Sequence, residues 1–275
     1  MIAAPLFTFG CEDTALGSGK VTFTSWGEEY IEDEIPAATF EDGYTVTYDK
    51  FLVLIGNITV EDESGVVAAD ENVYLVDHTE PGVKEIVVFD ELDAKAYPLV
   101  HYETSPAPRS AIKLIGAATD ADADRMAEEG YHVYVEGTLS KGADTKTFAW
   151  GFGVPTLLDT CEGELDGKLT EGAIVTEGGN DVIELTIHGD HFFYDDLQAA
   201  NAVVRGEAVF TADADMDGEV TLAELAEVRL LDLPADQYGT GGVDGVNDLR
   251  AFVEFLSRTV GHFRGEGECF LATPE

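Results

Sequence analysis

From about Lys20 to His188 apolar and polar side chains alternate, with Val, Ile, Thr, Tyr and Phe enriched. A period of two is the signature of strands with two unlike faces. It predicts KVTFTSW from Lys20, YTVTYDKFLVLIGNITV from Tyr44, NVYLVDH from Asn72, KEIVVFD from Lys84 and PLVHYET from Pro98 as strands. AIKLIGA from Ala111, YHVYVEGTLS from Tyr131, TKTFAWGFG from Thr145 and DVIELTIHG from Asp181 complete the set. Between them EDESG, HTEPG, KGAD and TEGGND supply Gly, Pro, Asn and Asp for turns between antiparallel neighbours. One helix interrupts the series at DADADRMAEEG, where acidic residues at the start and Gly130 at the end match helix polarity and capping.

Beyond His188 the period changes. YDDLQAANAVVRGEAVF places Leu197, Ala200, Val204 and Ala208 near helical spacing, with Asp195 or Asp196 as N-cap and Gly206 as a weak point. LAELAEVRLLDL and NDLRAFVEFLSRTV predict two further amphipathic helices. In the last, Leu249, Phe252, Val253 and Leu256 form one apolar stripe behind Asn247 as cap. The expected fold is β-rich (α+β): an antiparallel β-sandwich over residues 20–192, then a helical C-terminal segment over 193–275, preceded by a leader and tether over 1–19.

Composition narrows the function. The 275 residues are 45% hydrophobic, enough for a folded core. Fifty-five acidic against 15 basic residues give a formal charge of −40, which repels nucleic acid and anionic lipid and leaves cations as natural partners. The opening MIAAPLFTFGC, followed by the polar EDTALGSGK, resembles the end of a bacterial lipoprotein signal. It lacks a basic residue before the apolar run and carries Thr8 three before the cysteine. The resemblance implies an exported chain anchored to the cell envelope by lipid on Cys11, or else secreted. Cys161 and Cys269 are then free to pair in an oxidising compartment. No later segment is long and apolar enough to span a bilayer as a helix, so any membrane attachment would be through lipid.

The stretch DADMDGEVTLAE, Asp213 to Glu224, concentrates the chemistry. A twelve-residue calcium loop needs oxygens at positions one, three and five, a carbonyl at seven, a water-mediated ligand at nine and a bidentate carboxylate at twelve. Asp213, Asp215, Asp217, Glu219, Thr221 and Glu224 fill these positions. Gly218 supplies the sharp turn at six and Val220 the inward apolar residue at eight. This register resembles an EF-hand loop, which implies bound Ca2+ between two helices. YGTGGVDGVNDLRAF resembles a degenerate partner loop, with Val246 in the place of Val220. Gly239, Gly241 and Val243 would replace its acidic ligands and Arg250 its glutamate, so it should bind nothing. A dockerin-like module is a related alternative that lacks its duplicated loop.

A second set of candidate ligands is His188, His191 and His262. Imidazoles suit copper, zinc or iron, and two neighbours plus a distant third make a three-ligand site with an open position. FAWGFG and the His-bearing strand faintly resemble periplasmic copper proteins associated with methanobactin uptake. The alternative is that these histidines hydrogen-bond at the junction of the β and helical parts. No nucleophile elbow, phosphate loop or dinucleotide fingerprint is present, and TSWGEE around Ser25 is not a specific catalytic signal. The sequence therefore predicts a non-enzymatic exported protein with one structural Ca2+, or a transition-metal binder. Its β domain would carry an unidentified protein or small-molecule partner.

Overall fold

A computed structural model of the chain describes residues 17–274. The expected leader, including Cys11, lies outside them apart from its last few residues. The strands are β1 (Ser18–Gly27), β2 (Thr45–Asp62), β3 (Gly65–Asp77), β4 (Lys84–Asp93), β5 (Ala96–Tyr97) and β6 (Leu99–Thr104). Then come β7 (Ile112–Ile115), β8 (Val133–Lys141), β9 (Asp144–Phe152), β10 (Thr156–Leu165) and β11 (Lys168–Glu171). The last five are β12 (Ala173–Ile174), β13 (Asn180–Ile187), β14 (Glu219–Val220), β15 (Gly261–Phe263) and β16 (Glu268–Ala272). The helices are α1 (Glu29–Glu32), α2 (Asp120–Glu129), α3 (Glu207–Phe210), α4 (Leu222–Glu227) and α5 (Leu249–Leu256).

The chain is β-rich, and all nine strands expected from the alternation are present. One sheet of four strands runs β15, β13, β1, β4. A larger sheet runs β11, β10, β6, β2, β8, β9, β14, with β3 on β2, β7 on β3 and β16 on β10. Most pairs are antiparallel, as the turn signals imply, but β1 with β13, β3 with β7 and β9 with β14 are parallel. Side chains from both sheets meet in one core, including Phe23, Val53, Ile55, Trp150, Leu185 and Phe263. In the middle of β2 the alternation gives way to the continuous apolar run FLVLI because both faces are covered. Phe51, Val53 and Ile55 face that core, while Leu52 and Leu54 pack against Ala123 and Met126 of α2. Helix α2 begins in a capping box between Thr119 and Asp122 and ends at Gly130 in the left-handed region, as its sequence predicts.

The C-terminal part departs further from expectation. It is not a run of helices: β15 pairs with β13, β16 pairs with β10, and the core is continuous across residue 192. Of the helix expected over 194–210 only α3 forms. Asp195 and Asp196 do not cap it. Asp195 Oδ1 accepts the Val203 N–H (2.8 Å), and Asp196 Oδ1 accepts the Gln198 and Ala199 N–H groups (2.8 Å each), so both fold the chain into local turns. Gly206, where helix begins, lies so close to Tyr44 that a Cβ would stand 2.6 Å from the ring. Helix α5 is capped by Asp248, whose Oδ1 accepts the Ala251 N–H (2.9 Å), and not by Asn247. Cys161 on β10 and Cys269 on β16 form a disulfide between neighbouring strands. Among the described residues no helix is long and apolar enough to cross a membrane.

Candidate metal centres

The acidic loop lies between α3 and α4. Gly218 adopts φ +91°, a conformation a side chain would strain, and so makes the turn at position six. Thr221 caps α4 in a second capping box: its hydroxyl accepts the Glu224 N–H (3.2 Å), and Glu224 Oε2 accepts the Thr221 N–H (2.9 Å). Glu224 Oε1 accepts the Ala214 N–H (2.9 Å), drawing the end of the loop back over its beginning. As a result, one carboxylate oxygen from each of Asp213, Asp215 and Glu224 lies within 4.8 Å of the others.

Asp217, Glu219 and Thr221 stand outside that triad. Asp217 Oδ1 accepts the Glu219 N–H (2.9 Å), and Glu219 and Val220 form β14. Asp213 is buried. Its Oδ2 accepts the Gly218 N–H (3.2 Å) and pairs with Lys146 Nζ at 3.0 Å, while its Oδ1 is buried without a partner. The Lys146 ammonium holds the Asp213 carboxyl below the usual carboxylate range, and the Thr221 N–H does the same for Glu224. Both groups are therefore anions ready for a cation.

The expected partner loop does not pair with this one. Val220 pairs with Phe148 of β9. Gly239 bridges to Asp196, Leu230 N–H donates to the Asn247 carbonyl (3.0 Å), and Arg250 lies within α5. The short spacing between Val220 and Val246 leaves the second segment to close on the end of α4 instead.

The three histidines converge. His188 follows β13, His191 sits in a single 3-10 turn over Asp190–Phe193, and His262 lies on β15 opposite Thr186. Ring centres are 4.2 Å apart for His188 and His262, 4.9 Å for His191 and His262, and 5.4 Å for His188 and His191. All three are buried, as is Asp190. Their ligand atoms form two groups sharing His188: His188, Asp190 and His191, and His188, His262 and Glu266, each within 4.8 Å. His191 Nδ1 is 2.9 Å from the Thr259 hydroxyl, which fixes the ring.

Four atoms here are buried with no partner: His188 Nε2, His262 Nδ1, Asp190 Oδ1 and Glu28 Oε1. Each such orphan costs about 1–3 kcal/mol. Glu28 Oε1 lies 3.3 Å from His188 Nδ1 without hydrogen-bond alignment. Burial, reinforced by Asp190, pushes the Glu28 carboxyl up to about 8. Burial lowers all three imidazoles, leaving them neutral and able to ligate. A cavity of about 410 Å³, lined in part by His191, His262, Tyr194 and Glu266, opens beside the cluster.

Lys146, Glu28 and Thr259 carry no local signal in the sequence and reach the two centres only through tertiary structure, whereas Glu266 follows His262 in the turn after β15. Ser25 does have a histidine partner, His78 Nε2 at 2.8 Å, but both are fully buried and the Ser25 hydroxyl donates to the Leu185 carbonyl (3.0 Å). Trp150 of FAWGFG is a core residue whose Nε1–H donates to the Val220 carbonyl (2.8 Å). Comparison with protein-family models, curated proteins and solved structures finds no match to the chain.

Proposed function

We propose that the chain is an exported calcium-binding protein in which the loop Asp213–Glu224 holds one structural Ca2+. The observation that carries this reading is the convergence of Asp213, Asp215 and Glu224 oxygens within 4.8 Å, with Asp213 Oδ1 buried and lacking any other partner. A hard oxygen-only set with a two-oxygen carboxylate at position twelve suits Ca2+ better than the smaller, strictly octahedral Mg2+. Asp217, the Glu219 carbonyl and a water on Thr221 would complete the shell. The ion ties α4 to the strand β9 against which the loop lies. Calcium at about ten times Kd adds about 1.4 kcal/mol of stability by linkage. The Cys161–Cys269 disulfide supports an oxidising, extracytoplasmic setting. Lipidation of Cys11 and a partner on the β-sheets belong to the same proposal. The test is a calcium titration of chelator-treated protein beside Glu224→Gln: the parent should gain thermal stability and the variant should not.

A second reading rests on a separate observation, the clustering of three buried imidazoles around orphaned ligand atoms. Nitrogen donors with one carboxylate suit Zn2+ or Cu2+, and the adjoining cavity leaves a coordination position open. On this reading the chain is a transition-metal binder, with His188 as the shared ligand. Titration of the full chain with Zn2+ in excess calcium tests it: one tight equivalent supports it, and loss of that equivalent in His188→Asn assigns it.

A further inference from the structure

Strand β9 does more for the acidic loop than support its backbone. Thr147 N–H donates to the Gly218 carbonyl (2.9 Å), Val220 pairs with Phe148, and Trp150 holds the Val220 carbonyl. These bonds fix where the residue before Thr147 falls. That residue is Lys146, the cation paired with the loop's first acidic side chain. Its Nζ is 3.0 Å from Asp213 Oδ2 and 4.7 Å from the centre of the Phe210 ring, so the ammonium is held from two sides. The Asp213 side chain is 1% exposed and that of Lys146 18% exposed.

The two Asp213 oxygens are differently committed. Oδ2 is engaged by Lys146 and the Gly218 N–H, whereas Oδ1 is buried and unpartnered. An ion on Oδ1 and the ammonium on Oδ2 therefore share one carboxylate, and they repel each other across it. We propose that Lys146 is an affinity-setting residue that weakens the loop for calcium and keeps the empty loop in shape. The inference rests on the calcium reading and names how that site is regulated. Without calcium, Lys146 neutralises the most buried of the acidic ligands. With calcium, a positive charge a few ångströms from a dication in a water-like dielectric lowers affinity by about tenfold. The site is then suited to the Kd range of about 10⁻⁴–10⁻³ M found in extracellular calcium modules. It would stay empty at the submicromolar calcium of a cytoplasm and fill outside it.

The experiment is isothermal titration calorimetry of the chelator-treated full chain with CaCl2, together with melting curves in chelator. It compares the parent with Lys146→Met, Lys146→Gln and Lys146→Arg. Both neutral variants should bind calcium about tenfold more tightly and melt lower in chelator, while Lys146→Arg keeps the parent affinity. The glutamine variant retains a hydrogen-bond donor for Asp213 and serves if the methionine variant does not fold. Parent-like or weaker binding in the neutral variants, with the parent itself binding, overturns the role of Lys146 alone. No calcium heat in any of the four proteins overturns the calcium reading and this inference with it.

Discussion

The acidic loop and the histidine cluster are both candidate cation sites, yet they are built in opposite ways. The loop takes its converging ligands from twelve consecutive residues, positioned by one glycine turn and one helix cap. The cluster takes His188 and His191 from the end of β13 and its following turn, and His262 from a strand that returns more than seventy residues later. Local spacing can specify the first site, whereas only a completed sheet can specify the second. Their chemistry differs as well: the loop offers carboxylates, one buried at Asp213 and the others exposed or half-buried, whereas the cluster offers neutral imidazoles beside a cavity.

This contrast is open to direct attack. The largest effects come from removing one ligand at each site. Glu224→Gln should weaken calcium binding by roughly 100-fold or more while leaving Zn2+ binding unchanged, because the bidentate carboxylate is lost. His188→Asn should remove the Zn2+ equivalent and leave the calcium-dependent rise in melting temperature intact. Calorimetry on both variants with both ions gives a two-by-two test. If either variant disturbs both ions equally, the sites are not separate.

A further effect concerns acid. His78 and His132 are buried histidines outside both centres, and burial lowers each to about 3. The folded state keeps them neutral, while the unfolded chain protonates them near 6.5. Their contribution is therefore fully present above 6.5 and is lost as pH falls from there toward about 3. Each should remove about 1.4 kcal/mol per pH unit across that window. Denaturant midpoints measured from pH 7 to pH 4 check this. His132→Phe, which cannot take up a proton, should flatten the slope.

The smallest effect sharpens the histidine site. Thr259 touches His191 Nδ1 and no ligand position, so Thr259→Val should weaken Zn2+ binding by about tenfold without changing its stoichiometry. An unchanged affinity would mean that the His191 ring needs no positioning, as expected for histidines that merely pack.

What the sequence revealed follows the same division. Nine of the strands between Lys20 and Ile187 were legible from alternation, and even β2 was found although its centre is apolar on both faces; the short strands β5, β11 and β12 were not. Strand β10 was missed: TLLDTCEGEL alternates poorly, and the register of its pairing with β16 shifts between Asp159 and Glu162. The helix expected over 194–210 failed because Asp195 and Asp196 bond to nearby backbone N–H groups, which competes with helix in just the residue types that also cap it. The convergence of Asp213, Asp215 and Glu224 was legible from spacing, because the loop and its helix cap bring the three together locally. Lys146 was invisible, since its role depends on β14 lying parallel to β9. His262 was named among the ligands, but only the pairing of β15 with β13 shows that it reaches His188.

Equilibrium dialysis of the full chain against radioactive Ca2+, raised to several millimolar, decides whether the acidic loop holds an ion. A chain of net charge −40 collects calcium diffusely, so the quantity that matters is the difference between the parent and Glu224→Gln. The excess in the parent should rise with calcium toward one more bound ion per chain than in the variant. Equal binding by the two proteins would contradict it.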